Sequence, residues 1–132
     1  MNKGPVTVQL TVRISNEQIR DLLSAALEGG INYWADYEAG FTPDKEAMAN
    51  KLRGVWEGLP VYFIEDPKYT LLIKDMYESK THELTYERLR LGLVDMATKY
   101  PGHMQKLLTD EFDAETGDVF IQCCVFGDII YG

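Results

Sequence analysis

A chain of 132 residues, 45% hydrophobic and 26% charged with a formal charge of −8, has the size and composition of one globular domain able to bury a core without disulfide or metal staples. That content excludes a disordered chain, and the acidic balance excludes general binding to duplex nucleic acid or an anionic membrane, both of which require a basic surface. No apolar run approaches the roughly 18–20 residues of a membrane span, and Met1-Asn2-Lys3-Gly4-Pro5 lacks a secretory core, so the expected compartment is the cytoplasm.

Val6, Val8, Leu10, Val12 and Ile14 alternate with Thr7, Gln9, Thr11 and Arg13, the two-residue period of a half-buried strand over 5–14. Ser15 and Gln18 form a capping box for a helix over 16–28. Its apolar stripe is Ile19, Leu22, Leu23, Ala26 and Leu27, and Gly29-Gly30 stops it. Residues 31–41 match neither period and read as an irregular loop or short extended piece. Thr42-Pro43-Asp44 reads as the start of a marginal helix ending near Arg53-Gly54.

Strands 60–65 and 69–77 flank Asp66-Pro67-Lys68 and are expected to pair as a hairpin. Lys80–Leu84 reads as a further short extended piece. Thr85 then caps a helix over 86–100 with Leu89, Leu93, Met96, Ala97 and Tyr100 on its core stripe. A short helix follows within 102–112. The apolar tail from Thr116 to Gly132 must be buried and is expected as a helix capped by Thr116, with Asp118 in its first turn. The expected fold is therefore one α+β domain over 1–132. Its sheet is short and mostly antiparallel, built from 5–14, 60–65 and 69–77, and helices 16–28 and 86–100 cover one face.

Recognisable catalytic spacings are absent: there is no phosphate loop, nucleophile elbow, paired-cysteine zinc signature or His-Glu-x-x-His. The adjacent Cys123 and Cys124 lie in the most apolar and acidic part of the chain, and they read as buried reduced thiols rather than nucleophiles. Asp110, Asp113, Glu115 and Asp118 fail the calcium-loop pattern and read as a solvated acidic loop. No metal and no cofactor is implied, and the expectation is a binding protein rather than an enzyme.

Candidate ligand contacts lie in three places. Glu28 sits where the helix dipole disfavours an anion, and after it Asn32 offers an amide reader beside the flat rings of Tyr33 and Trp34. The alternative for that segment is ordinary core packing by the two aromatics. Arg88, Asp95 and Lys99 project together from one helix; Asp95 and Lys99 suit an ion pair, while Arg88, Lys99 and His103 suit phosphate. Gln122 is the lone polar side chain in Val119–Phe126, and a buried amide must find hydrogen bonds from backbone or from a ligand.

Three segments together resemble a widespread group of small phage and prophage proteins: Glu28-Gly29-Gly30 with Tyr33-Trp34, Lys99-Tyr100-Pro101, and Thr116-Gly117-Asp118-Val119-Phe120-Ile121-Gln122 with Phe126-Gly127 and Ile130-Tyr131-Gly132. The resemblance implies a counter-defence role in the bacterial host cytoplasm. The expected partner is a nucleotide second messenger, a cyclic di- or oligonucleotide, sequestered intact by Asn32, Tyr33, Trp34, Arg88, Lys99, His103 and Gln122 in a homo-oligomer that shares its pockets. The alternative partner is a host defence protein whose basic channel the acidic 107–132 region masks, in the manner of an anti-CRISPR.

Overall fold

The structure, a computed structural model, describes residues 4–41 and 69–132. In chain order these form α1 (Asn16–Ala25) with a π-helical turn (Ala26–Gly30), β1 (Ala35–Phe41), β2 (Tyr69–Asp75), β3 (Lys80–Leu84), α2 (Tyr86–Lys99), α3 (Pro101–Leu108) and α4 (Ala114–Phe126). The class is α+β. The three strands form an antiparallel sheet in the order β1-β2-β3. Its register sets Ala35 opposite Asp75, Tyr37 opposite Ile73, Ile73 opposite His82 and Leu71 opposite Leu84. These residues face inward, with Ala35, Leu71, Ile73, Asp75 and Leu84 buried.

Both edges of β2 are taken by β1 and β3, so strand 69–77 is paired differently from the expected hairpin. The expected partner at 60–65, the turn at 66–68 and the helix from Thr42 to Gly54 lie outside the described residues. Strand 5–14 is a correction: residues 4–15 adopt no regular element, and Val6, Val8 and Leu10 are 88%, 71% and 82% exposed. Alternation defines a strand's faces but supplies no neighbour, and a strand without a neighbour makes no ladder. Residues 35–41 are the converse. Buried Ala35 and half-buried Tyr37 alternate with exposed Asp36 and Glu38, a period blurred in the sequence by Tyr33 and Trp34, which belong to the turn before it.

The centre of the fold is α4, ten of whose consecutive residues, Thr116 to Val125, are buried. A helix that is apolar all round must be covered all round, and α1, its π-helical turn, α2, α3 and β3 supply the cover. The tail is thus a helix only as far as Phe126, residues 127–132 forming no regular element with Ile129 and Ile130 partly exposed, and the helix cap is Asp113, whose carboxylate accepts from Thr116 N at 3.0 Å. Thr116, expected as the cap, is the third helical residue and returns its hydroxyl to Asp113. The Ser15–Gln18 capping box and the Thr85 cap of α2 form as expected, whereas Ala97 on the anticipated stripe is exposed.

Two glycines set how closely the helices approach α4. A Cβ on Gly117 would lie 2.6 Å from Ala26 N and 2.8 Å from Ala26 Cα, and one on Gly92 would lie 2.9 Å from Cys124 Cα. The π-helical turn, closed by Ile31 N donating to Ala26 O at 3.0 Å, brings this backbone onto α4. Gly117→Ala is expected to destabilise the protein by about 1–3 kcal/mol through overpacking, opposite in sign to the gain at an exposed helical glycine. Urea denaturation of the variant against the wild type reads the difference.

Candidate functional site

Three side chains, Tyr33, Trp34 and Gln122, meet around Asp118 on α4, which is 8% exposed. Its Oδ1 accepts from Trp34 Nε1 at 2.8 Å and from Gln122 Nε2 at 2.9 Å, and its Oδ2 accepts from Tyr33 Oη at 2.6 Å. Gln122 Oε1 in turn accepts from the backbone N–H groups of Ile130 and Tyr131 at 2.8 and 2.9 Å. This folds the last residues back over the helix. Tyr131 then stacks on Trp34 with ring centroids 5.2 Å apart, and its hydroxyl donates to Asp75 Oδ2 at 2.7 Å. Asp75 Oδ1 accepts from Tyr77 N and Glu78 N and so holds the β2–β3 turn.

Burial and the adjacent Asp118 carboxylate push the Tyr33 phenol well above its ordinary value. The hydrogen bond to Asp75, followed by burial, pushes Tyr131 up to about 12. Burial pulls the Asp75 carboxyl upward, but hydrogen bonds from Tyr131, Glu78 and Tyr77 outweigh it and leave Asp75 below its ordinary value. Both tyrosines therefore remain donors at neutral pH, as the network requires.

The expected ligand residues are distributed by this arrangement. Trp34 is fully buried between Tyr131 and Phe126, so the ring expected to stack on a base stacks on the protein's own tail. Gln122 is fully buried with its amide committed to the tail and Asp118. Tyr33 is 45% exposed but its hydroxyl is taken by Asp118, and exposed Asn32 donates to Leu27 O at 3.3 Å. Glu28, expected to need a partner, is exposed to solvent.

Arg88 and Lys99 both serve the C-terminal end of α4. Arg88 Nη1 donates to Val125 O at 3.2 Å and Lys99 Nζ to Gly127 O at 2.6 Å, where cations satisfy terminal carbonyls and oppose the helix dipole. The Asp95–Lys99 ion pair is accordingly replaced by this capping bond. Cys124 is pushed well above its ordinary value by burial and Cys123 to about 11 for the same reason, so both are protonated at neutral pH. Among the described residues no three His, Cys, Asp or Glu side chains converge as a metal site.

His103 has a different setting. With Tyr100, Gly102 and Lys106 it lines an open cleft of about 300 Å³ at the start of α3. Its Nδ1 lies 3.2 Å from Thr116 Oγ1, which gives its own proton to Asp113 Oδ1 at 3.1 Å. Within that network Nδ1 is the donor, and Nε2 is the ring nitrogen without a hydrogen-bond partner among the described residues. Tyr100 is fixed from the far side by a hydrogen bond from its hydroxyl to Asp128. His103 N and Met104 N are spent on Tyr100 O, and Pro101 has no N–H, so Gly102 supplies the open amide of the first turn.

Sequence reasoning missed Asp118 as the hub, because its acidic neighbours suggested a solvated loop. It also missed Gly102 and Lys106 beside His103, although Lys99-Tyr100-Pro101 already marked that stretch. The chain matches no protein-family model, no curated protein and no solved structure.

Two measurements address this network. Asp118→Asn is expected to lower stability by about 1–3 kcal/mol, because its amide faces donors and one of them loses its acceptor; Tyr33→Phe, at a half-exposed position, costs less. A carboxyl held below its unfolded value stabilises the fold above that value and loses its contribution as pH falls through the folded one. Asp75 therefore contributes fully above about pH 4 and progressively less in stronger acid. Melting temperature against pH is expected to drop below that point, with a smaller drop in Asp75→Asn.

Proposed function

We propose that the protein binds a nucleotide signal, a cyclic di- or oligonucleotide, and withholds it without cleaving it. The observation that carries this reading is the cleft of Tyr100, Gly102, His103 and Lys106. An aromatic ring, an imidazole, an ammonium and a backbone amide together suit a ligand that is both anionic and flat. The surrounding chain carries −8, which repels long polyanions and favours a small ligand whose charge Lys106 can meet. Its volume of about 300 Å³ is at the lower end of ligand pockets, enough for one nucleotide unit. A phage counter-defence setting rests on the resemblance carried by residues 28–34, 99–101 and 116–132. Arg88, Lys99, Trp34 and Gln122 are spent on the fold itself and make no direct contact in this reading.

Calorimetry with a panel of cyclic di- and trinucleotides tests it. One member is expected to bind, and His103→Ala combined with Lys106→Ala is expected to weaken it about 10- to 100-fold, the worth of charge-assisted hydrogen bonds. Mass spectrometry of the ligand released by denaturation should return it intact. No binding across the panel overturns the proposal, and a cleaved product replaces it with an enzyme using His103 as base.

A second reading is supported by Asp110, Glu111 and Glu115, all exposed around the α3–α4 connection. Such a surface suits an inhibitor that masks a basic channel of a host defence protein. Neutralising Asp110 and Glu111 would then abolish inhibition and leave nucleotide binding unchanged.

A further inference from the structure

The hydrogen bonds behind His103 decide which of its ring nitrogens carries the hydrogen. Asp113 is held below its ordinary value, first by the hydrogen bond from Thr116 N and against the pull of burial, so at neutral pH it is a carboxylate and only accepts. The hydroxyl of fully buried Thr116 therefore gives its one proton to Asp113 Oδ1 at 3.1 Å. What Thr116 Oγ1 has left for His103 Nδ1, 3.2 Å away, is a lone pair, and Nδ1 must bring the hydrogen. A neutral imidazole has a single N–H. Neutral His103 thus keeps a bare lone pair on Nε2, the nitrogen unpaired among the described residues, in the cleft with Tyr100, Gly102 and Lys106.

That lone pair conflicts with its neighbour. The Lys106 ammonium suits an anion, yet a phosphate oxygen and a bare ring nitrogen both only accept, and they repel. A second proton on the imidazole removes the conflict. Taking the cleft as the nucleotide site proposed above, we infer that binding there is coupled to the uptake of one proton from solvent. The proton adds to His103 Nε2, and the resulting imidazolium donates from Nε2 to a phosphate oxygen that Lys106 also meets. No bond to phosphorus forms or breaks. The phosphate of the ligand, rather than its base, is therefore the group that His103 recognises.

Thr116 and Asp113 are positioning residues in this scheme: they fix the ring's orientation and set a carboxylate behind the charge that appears on it. The titratable groups facing the imidazole are Lys106 on its own helix, Tyr100 at the end of α2 and Asp113 at the cap of α4. Lys106 opposes the imidazolium and Asp113 favours it, so the arriving anion adds the attraction that decides the outcome. Because the complex holds one more proton than the free protein, affinity falls as pH rises, by up to about tenfold per pH unit while free His103 is neutral and bound His103 is charged. On the acid side, where the free ring already carries both hydrogens, affinity levels off.

Calorimetry of the full chain with cyclic dinucleotides, in buffers of different ionisation enthalpy between about pH 6 and 8, reads the proton count and is expected to give about one. Nitrogen NMR of the His103 ring should show Nε2 bare in the free neutral protein. Adding inorganic sulfate, a tetrahedral anion that does not titrate near neutrality, should protonate it. His103→Gln, whose amide donates without taking up a proton, should bind with an affinity flat in pH. Thr116→Val should release the tautomer and weaken sulfate binding about tenfold, and Thr116→Ser should restore both, a recovery that loss of packing alone does not predict. A cyclic dinucleotide that binds without proton uptake overturns the inference and leaves the nucleotide reading standing. Sulfate that protonates Nε2 while no cyclic dinucleotide binds does the reverse. Hydrogen found on Nε2 of the free neutral ring, a ring that sulfate leaves unchanged, or a wild-type pH profile in His103→Gln each overturns the inference.

Discussion

The carboxylate of Asp118 is the acceptor on which the closing of this fold depends. A carboxylate only accepts, and it can take several donors at once; here it takes the indole of Trp34, the phenol of Tyr33 and the amide of Gln122. Those donors come from the α1–β1 turn and from α4 itself, so one side chain ties the start of the sheet to the central helix. Gln122 then has its carbonyl oxygen turned to the backbone of 130–131, and the tail it captures returns Tyr131 to Trp34 and to Asp75. A chain of hydrogen bonds thus runs from α4 through the tail to the β2–β3 turn, with each member filling a need of the next. Partial satisfaction of such a network would be worse than an apolar core.

Close backbone approach is the second constraint and serves the first. Trp34 Nε1 reaches Asp118 only because α1 lies against α4 at Ala26 and Gly117, and α2 lies equally close at Gly92 and Cys124. The π-helical turn widens α1 where it meets α4, so that Ile31 and Trp34 enter the core together with no exposed surface. A regular α-helical ending would rotate these residues relative to α4.

Much of this was legible in the sequence where local chemistry governs: the Ser15–Gln18 box, the Thr85 cap and the helical reading of the apolar tail are decided within four residues of each site. Partner choice is decided by the whole chain. That is why the most regular alternation, at 6–14, is left without a sheet neighbour while the less regular 35–41 becomes a sheet strand. The same division explains the candidate site. Trp34, Gln122, Arg88 and Lys99 are residue types that ligands use, but helix ends and buried amides use them too, and nothing in a linear spacing distinguishes a phosphate from the carbonyls of Val125 and Gly127.

This consumption of polar groups by the interior narrows what the described surface can do. A buried amide or indole already paired is not free to read a ligand, since breaking its bonds costs as much as a new contact returns. Functional chemistry must then come from side chains with one end held and the other open. His103 meets that requirement: Thr116 and Asp113, which begin α4, fix its Nδ1 edge. Tyr100 meets it too, because Asp128 anchors its hydroxyl while its ring borders the same cleft. Both anchors belong to α4 or to the residues that follow it, so the helix that organises the interior also holds the two side chains best prepared to meet a ligand.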